Sequence, residues 1–312
     1  MTIQQSSAEE YASLFTGPVS LYGSAQFCEL NRHKCPEGIE YILILDAKGK
    51  VRFGLAGGLR GGGLRVPFSA PFGCFEEAGV QRVDHWTEAM AAVRDWLGGR
   101  RLTITLPPPC YDRSGALARQ HLAMLSCGGS QMFADYNYHL PLTLLDEGYL
   151  ARLDSRTRYN INLSMRKGFC FEAYPDASEE MLRRAYKVIY LNHTGLGYPV
   201  HMSEDDVVAT SAVIPMDVFI ARRDGEDQAA GIIYRPAPGA AQLIYWGDDL
   251  GHRPDFPMNF LAYNILRHYS SIPGIEFFDF GPSSTDGIPA EGLCRFKQSL
   301  GGVLTPKVTI SF

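Results

Sequence analysis

Three side chains in the C-terminal part of the chain combine a proton acceptor, a cation and a hydroxyl. Asp279 lies in the segment FDFG, Lys297 in RFKQSLGG, and Tyr245 in an earlier apolar run. A carboxylate that is partly removed from water binds a proton more readily, which suits a general base. An ammonium group or a hydroxyl can stabilise the negative oxygen that develops on an attacked carbonyl. We therefore predict that these three residues are catalytic.

Each of the three residues also has a purely structural interpretation. A carboxylate at a strand end can accept hydrogen bonds from the following loop, and a lysine is most often solvated. Two adjacent aromatic residues in a strand, here Tyr245 and Trp246, are most often part of a core. Both interpretations stay open on the sequence alone.

The elements around these residues form a strand, a helix and a second strand. Gln242 to Trp246 is a short β-favouring run, a helix can begin at Pro257, and Ile275 to Phe280 is a second apolar run. A helix between two such strands predicts a mixed sheet with neighbouring or parallel strands. Ligands of open α/β sheets lie where strand ends diverge, which favours a site near Asp248 and Asp279.

The motifs of this region resemble those of FemAB-like proteins. The segments YW, PMNFLAYNIL, FDFGPSS and RFKQSLGG resemble the C-terminal half of that family, and SAPFGC and TRYNINLSMRKG resemble two further marks of it. Family members consist of two GNAT-like acyltransferase domains. The resemblance implies transfer of an acyl or aminoacyl group to an amine, with Lys297 as the residue most closely tied to the active site.

Substrate contacts are predicted from both halves of the chain. Ser283 and Ser284 supply hydroxyls directly after the second strand, although a run of Pro, Ser, Thr, Asp and Gly is also ordinary turn chemistry. Tyr198 lies in a loop after a helix. The predicted substrate-binding residues are Arg60, Ser69, Phe72, Tyr198, Trp246, Asp248, Ser283 and Ser284.

A basic segment between residues 152 and 167 is the strongest candidate for phosphate binding. It could receive the phosphates of coenzyme A, a tRNA acceptor stem or an anionic lipid-linked substrate, or it could be a solvated helix face. The predicted contacts to the donor phosphates are Arg158, Arg166, Lys167, Arg253 and Asn259.

The nature of the donor stays open between acyl-CoA and aminoacyl-tRNA. Ordinary GNAT enzymes grip the CoA pyrophosphate with an Arg/Gln-x-x-Gly-x-Gly/Ala loop, and the corresponding stretch from Asp248 to Asn259 has no such glycine pair. Fem-type peptidyltransferases also lack this loop and use aminoacyl-tRNA, but many carry a coiled-coil arm, which is not visible here. The glycines from Gly54 to Gly63 match neither nucleotide-binding motif, and we interpret them as a flexible hairpin and loop.

Composition limits the remaining possibilities. The net charge of −5 disfavours DNA as a partner and weakens the case for tRNA. The seven cysteines contain no CxxC pair and the histidines show no metal-ligand spacing, so we expect reduced thiols, no metal and a cytoplasmic location. No apolar run approaches the roughly 18 residues of a membrane span.

These observations predict an α/β fold with a mixed sheet and two tandem GNAT-like domains. The boundary falls near Leu140 to Asp146, giving a degenerate domain in residues 1–143 and a catalytic domain in residues 144–312. The function expected from the resemblance is N-acyl transfer to a primary amine. The alternatives are an aminoacyl-tRNA-dependent peptidyltransferase acting on a cell-wall precursor and a non-catalytic protein that binds a ligand in the same cleft.

Overall fold

The computed structural model describes residues 1–312, which fold into strands and helices that alternate along the chain. The strands are β1 Thr2–Ser6, β2 Ile39–Leu45, β3 Val51–Arg60, β4 Gly63–Val66, β5 Glu76–Glu77, β6 Leu102–Thr105, β7 Ser130–Pro141, β8 Cys170–Tyr174, β9 Met216–Arg223, β10 Glu226–Tyr234, β11 Ala240–Asp248, β12 Phe277–Pro282, β13 Ser284–Thr285, β14 Ile288–Pro289 and β15 Val303–Ser311. The helices are α1 Ala8–Leu14, α2 Ala25–Leu30, α3 Val83–Leu97, α4 Ala116–Ser126, α5 Tyr149–Arg152, α6 Ser155–Ser164, α7 Glu179–Gly195, α8 Glu204–Thr210, α9 Pro257–Ser270 and α10 Glu291–Ser299. The mixed α/β class predicted from the sequence is confirmed.

The chain forms two compact units that are not continuous in sequence. Unit 1 comprises Met1–Tyr136, Ser284–Pro289 and Thr305–Phe312, and unit 2 comprises Asn137–Ser283 and Ala290–Leu304. Both strand β7 and strand β15 contribute residues to both units. No helix in the structure is both long and apolar enough to cross a membrane.

Unit 1 contains a mixed sheet with strands in the order β1-β2-β3-β4-β6-β15, and β5 pairs with β3. Strands β4 and β6 are parallel, whereas the pairings of β2 with β3 and of β6 with β15 are antiparallel. Strands β2 and β3 form a hairpin, and Asp46 holds its turn by accepting hydrogen bonds from the N–H groups of Lys48 and Lys50.

The glycines from Gly54 to Gly63 lie in a hairpin of two strands. Strand β3 runs through Gly54, Gly57 and Gly58 and ends at Arg60, and β4 begins at Gly63. A Cβ atom on Gly54 would lie 2.3 Å from the Phe15 ring, and one on Gly58 would lie 2.5 Å from the Cys35 sulfur. The expected hairpin is confirmed, because β3 and β4 pair antiparallel. At Gly54 and Gly58, glycine allows neighbouring side chains to pack against the strand.

A buried carboxyl group ties the start of unit 1 to its sheet. Glu76 in β5 is 3% exposed, and its Oε2 accepts a hydrogen bond of 2.8 Å from the N–H of Val19. A Cβ atom on Gly23 would lie 2.6 Å from Glu76 Oε1, so only glycine permits this approach. Burial raises the pKa of Glu76 to about 8, and the bond from Val19 lowers it in part. The folded protein therefore binds a proton that the unfolded chain releases in moderately acidic solution.

Replacing Glu76 by glutamine should remove a pH dependence from the free energy of unfolding. Below about pH 4.5 both states carry the proton, and as the pH rises toward the folded pKa of about 8 only the folded state keeps it. Wild-type stability should fall by up to about 1.4 kcal/mol per pH unit over that interval because of this one group. Urea unfolding of both proteins at several pH values measures the difference, which should grow as the pH rises.

The matched control for this experiment is Glu88→Gln, on the exposed surface of α3. That variant should follow the wild-type pH profile. Parallel profiles for wild type and Glu76→Gln would show that the Glu76 carboxyl is not held in its protonated form.

Unit 2 contains strands in the order β7-β12-β11-β10-β9-β8, with both parallel and antiparallel pairs. Strands β9, β10 and β11 form an antiparallel meander, and β11 runs parallel to β12. Helix α9 begins at Pro257 as predicted and packs on one face of the sheet, where Leu261 and Ile265 join Phe278 and Phe280 in the core. Helix α7 packs against β9, β10 and β11, and the Ser178 side chain caps its N-terminus.

Candidate functional site

The parallel strands β11 and β12 pair over only three residues and then diverge. Ala240, Ala241 and Gln242 of β11 pair with Phe277, Phe278 and Asp279 of β12, respectively. Beyond that point β11 continues to Asp248 and β12 to Pro282 without further pairing between them. We call this divergence the fork. Ligands of open α/β sheets lie at such carboxyl ends, so the fork is the candidate site.

Asp279 lies at the start of the fork and is completely buried. Its Oδ1 accepts hydrogen bonds from Asn137 Nδ2 at 2.8 Å and from the N–H of Gly281 at 2.9 Å. Its Oδ2 accepts a hydrogen bond from Gln242 Nε2 at 2.9 Å. Because Asn137 is in β7 and Gln242 is in β11, the carboxylate joins β12 to both neighbouring strands. This arrangement fits the structural interpretation of Asp279 and also gives it a role in holding the fork.

Lys297 lies in α10, and its side chain reaches the end of β12. The residue is 3% exposed, and its Nζ donates hydrogen bonds of 2.9 and 2.8 Å to the carbonyl oxygens of Gly281 and Pro282. Asp279 accepts from the N–H of Gly281, so the carboxylate and the ammonium hold opposite sides of that residue. Gly281 has a φ of 71°, a conformation that favours glycine. Lys297 is therefore not a solvated surface lysine, and a positive charge is fixed beside the diverging end of β12.

Ser283 follows directly on this strand end. It is 1% exposed, and its hydroxyl has no hydrogen-bond partner within the protein. Its carbonyl accepts hydrogen bonds from the N–H of Ala290 at 2.8 Å and from the Cys294 thiol at 3.4 Å. The hydroxyl predicted to bind substrate is thus covered in the structure, two residues beyond Gly281.

On the β11 side of the fork, Tyr245 and Trp246 have different surroundings. The Trp246 ring packs against Phe296 and Phe280 with centroid distances of 5.5 and 6.2 Å, as part of the core that includes α9. The Tyr245 ring lies 5.9 Å from His193 of α7. Burial raises the pKa of Tyr245, and hydrogen bonds from the backbones of Met202 and His201 act in the opposite direction. Tyr245 therefore contacts the segment that follows α7.

Tyr198 belongs to that same segment. It is 61% exposed, and its ring lies 6.5 Å from His193. His193 Nε2 lies 3.3 Å from the carbonyl oxygen of Trp246, which links the end of α7 to the diverging part of β11. The structure thus brings Tyr198 and Tyr245 together around His193.

Asp248 and Arg253, which we predicted to bind substrate and donor phosphate, are paired with each other. Asp248 Oδ1 accepts hydrogen bonds from Arg253 Nη2 at 3.1 Å and from Asn192 Nδ2 at 2.7 Å. Burial raises the pKa of Asp248, and the Arg253 guanidinium lowers it in part. A Cβ atom on Gly247 would lie 2.8 Å from that of Asn192, so the glycine permits this close packing. These contacts join the end of α7 to the end of β11.

Most of the other side chains predicted to bind the donor phosphates are paired within the protein or buried. Lys167 pairs with Asp255 at 2.8 Å, and Arg158 donates to the Ala151 carbonyl at 3.2 Å. Asn259 is buried in the first turn of α9. Arg166 is exposed and makes no ion pair. Of the basic side chains proposed to contact the donor, Arg166 is thus the one that no carboxylate or carbonyl holds.

Four predicted substrate contacts lie in unit 1. Phe72 is completely buried and packs on Tyr22 and Tyr111, so it is a core residue and not an exposed contact. Ser69 donates to Asn31 Oδ1 at 2.9 Å, and Ser284 donates to Asp135 Oδ1 at 2.6 Å. Arg60 is exposed at the end of β3. The hydroxyls of Ser69 and Ser284 thus have partners within unit 1.

Comparison with known proteins identifies the fold. No protein-family model matches the sequence, and no curated protein matches it. Among solved structures, FemX has a TM-score of 0.68 at 12% identity, covering 100% of this chain and 97% of that chain. L-PGS from Bacillus licheniformis has a TM-score of 0.57 at 14% identity, covering 98% of this chain and 90% of that chain. A tandem GNAT protein from the clavulanic acid biosynthesis pathway has a TM-score of 0.53 at 13% identity, covering 99% of this chain and 97% of that chain. The chain therefore shares its fold with FemX and with a tandem GNAT protein, so the FemAB-like fold with GNAT-like domains that the sequence predicted is confirmed.

Proposed function

We propose that this protein is an N-acyltransferase that transfers an acyl group to a primary amine at the fork of unit 2. The observation that carries the proposal is the buried ammonium of Lys297 at the point where β11 and β12 diverge. A cation in a site shielded from water stabilises a developing oxyanion more strongly than it would in solution. Residues 144–312 are proposed as the catalytic half of the chain and residues 1–143 as its degenerate counterpart.

Each proposed catalytic residue has a role that fits its contacts. The amine attacks the acyl carbonyl, and Lys297 stabilises the oxygen that becomes negative. Asp279 already accepts three hydrogen bonds, so we assign it to holding the fork instead of taking a proton from substrate. Tyr245 is assigned to donating a hydrogen bond at the β11 side. Asp279 is therefore a positioning residue, and Lys297 is the residue that contacts the reacting atoms.

Acyl-CoA is the donor that we propose first. The solved structure of the tandem GNAT protein with a similar fold is a form without AcCoA, which associates AcCoA with that protein. The glycine loop that binds the CoA pyrophosphate is missing, and Arg253 is paired with Asp248. We therefore assign the contacts to the CoA phosphates to Arg166 and to the first turn of α9. Donor phosphates would then be held by fewer charged contacts than in ordinary GNAT enzymes.

Calorimetric titration with CoA and acetyl-CoA, at low and moderate salt, tests this donor. Binding in the micromolar range, corresponding to about −8 kcal/mol, that persists in added salt would support it. Release of free CoA thiol from acetyl-CoA in the presence of primary amines would then establish transfer. Absence of binding to both compounds would reject acyl-CoA, and tight binding without turnover would support a non-catalytic binding protein.

Aminoacyl-tRNA is the second candidate donor. Helix α6 and the residues next to it carry Arg156, Arg166 and Tyr159, whose side chain is 62% exposed. Arginine side chains bind phosphates and aromatic rings stack on unpaired bases, so this surface suits a single-stranded end of tRNA. The fold is also similar to that of FemX and L-PGS. Ribonuclease treatment of a cell extract that supports transfer separates the two donors. It should abolish activity if tRNA is the donor and leave activity intact if acyl-CoA is the donor.

A further inference from the structure

His139 lies beside the fork but belongs to none of the predicted motifs. It is in β7, directly opposite Asp279 of the antiparallel neighbour β12, and residues paired in this way share a face of the sheet. On the other side of β12, Asp279 is paired with Gln242 of β11. His139, Asp279 and Gln242 therefore form a row across three strands, which we call the polar row. It crosses the sheet where the fork begins.

The two ring nitrogens of His139 have different environments. One nitrogen makes a hydrogen bond to the Val303 backbone, and Nδ1 is buried and receives no hydrogen bond from any protein group. The bond to Val303 favours the charged form of the ring, so the imidazole donates to a carbonyl oxygen there, through Nε2. The neutral ring then carries its proton on Nε2, which leaves the Nδ1 lone pair available to accept another proton.

The surroundings keep this imidazole neutral while supporting its protonation during a reaction. Burial lowers the pKa of His139, and the Asp279 carboxylate and the bond to Val303 act in the opposite direction. Asp279 is the one charged group whose interaction with the ring affects this pKa. The ring of Phe277, in the same strand as Asp279, packs edge-to-face against the His139 ring, with the two centroids 6.2 Å apart. A neutral imidazole next to a fixed carboxylate is suited to accept a proton and to hold it briefly.

We infer that His139 accepts the proton that the acceptor amine must lose before it attacks. This inference rests on the proposed function. The ammonium of the acceptor gives one proton to Nδ1, and the neutral amine forms a nitrogen–carbon bond with the acyl group. The bond between that carbon and the donor sulfur breaks, and the departing thiolate takes the proton back from the imidazolium. The nitrogen of the new amide gives its one remaining extra proton to solvent, so the products are a neutral amide and a free thiol. Asp279 stabilises the imidazolium in the meantime, while Gln242 and Asn137 hold Asp279 in place.

The variant His139→Gln distinguishes a role of His139 in proton transfer from a role in packing and hydrogen bonding. Its side-chain amide can still donate to the Val303 carbonyl but cannot take a proton near neutral pH. With acetyl-CoA and a panel of primary amines, the variant should lower kcat at least about 100-fold, as expected for loss of a general base. It should also remove the acidic limb of the pH–rate profile. In the wild type this limb should lie below pH 6.5, the ordinary pKa of histidine.

His268→Gln is the matched control. His268 in α9 is also a partly buried histidine whose pKa is lowered by burial and raised by a carboxylate, in its case Asp217. It lies against Phe219 and Tyr269 and is not part of the polar row. This variant should keep both kcat and the acidic limb. Equal losses in both variants would show that any buried histidine matters only for packing, which would overturn the inference.

A second measurement does not depend on turnover. Nitrogen-15 NMR of the histidine rings, assigned with His139→Gln, should show His139 protonated on Nε2, and Asp279→Asn should lower its pKa further. A proton on Nδ1 would overturn the inference whatever the activity. If the wild type acylates no amine, both the proposed function and this inference fail. If the wild type is active and His139→Gln keeps full activity with the same pH profile, the inference alone fails.

Discussion

Replacing Lys297 by methionine should lower kcat for acyl transfer by about 100-fold to 1,000-fold, which is the usual effect of removing one oxyanion-stabilising donor. Methionine approximates the length of the lysine side chain and removes the ammonium that donates to the carbonyl oxygens of Gly281 and Pro282. Because the charge acts mainly on the transition state, KM for the donor should change much less. Steady-state kinetics of thiol release from acetyl-CoA measures both parameters.

Arg295→Ala is the control for the Lys297 experiment. Arg295 is exposed in the same helix and pairs only with Glu291, one turn earlier. It should retain full activity, since surface ion pairs contribute little. Circular dichroism should show Lys297→Met folded. A folded Lys297→Met variant with wild-type kcat would reject the assignment of Lys297 to the reacting atoms and leave it a purely structural role at the end of β12.

Local patterns were sufficient to predict the frame of the candidate site. The apolar runs of β11 and β12, and the Pro257 start of the helix between them, are all signals within a few residues of each other. Their parallel pairing follows from the connection through α9. The fork was thus predictable as a region, and Asp279 and Lys297 as its most informative side chains.

The region from Glu147 to Lys167 shows where a local signal was missed. The region does not form one continuous helix, because α5 ends at Arg152 and α6 begins at Ser155. Asp154 lies between them and caps α6, because its Oδ1 accepts from the N–H groups of Arg156 and Thr157 at 3.0 and 2.9 Å. An aspartate before a helical run is a standard helix start, so this break was present in the sequence.

The partners of the charged groups could not be predicted in the same way. Asn137 and His139 come next to Asp279 only because β7 pairs with β12, and that register depends on the whole sheet. Lys167 and Arg253 looked free in the sequence but are held by Asp255 and Asp248. Pairing between distant elements is set by packing and not by local spacing, so sequence patterns identify charged side chains more readily than the groups that neutralise them.

Replacing Asp279 by alanine should lower the free energy of unfolding by about 3 to 5 kcal/mol, because three buried N–H donors would lose their acceptor. The donors come from Asn137, Gln242 and the Gly281 backbone, so the loss would loosen β12 from both neighbouring strands. Urea unfolding measures the change, and Asp286→Asn, on an exposed turn whose φ of 51° asparagine tolerates, should change stability by less than about 0.5 kcal/mol.

A second substitution, at Asn137, tests whether the hydrogen bonds that Asp279 accepts act together as one network. Asn137→Ala alone should cost less than Asp279→Ala, and the double variant should be more stable than the sum of the two losses predicts, since the Asn137–Asp279 bond can be lost only once. If Asp279→Ala does not fold, Asp279→Asn replaces it. That variant keeps one acceptor oxygen but sets an NH₂ group against Gln242, so it should lose less stability. A loss below about 1 kcal/mol for Asp279→Ala would show that the carboxylate does not hold the strands together, and a role in proton transfer would then explain its burial better.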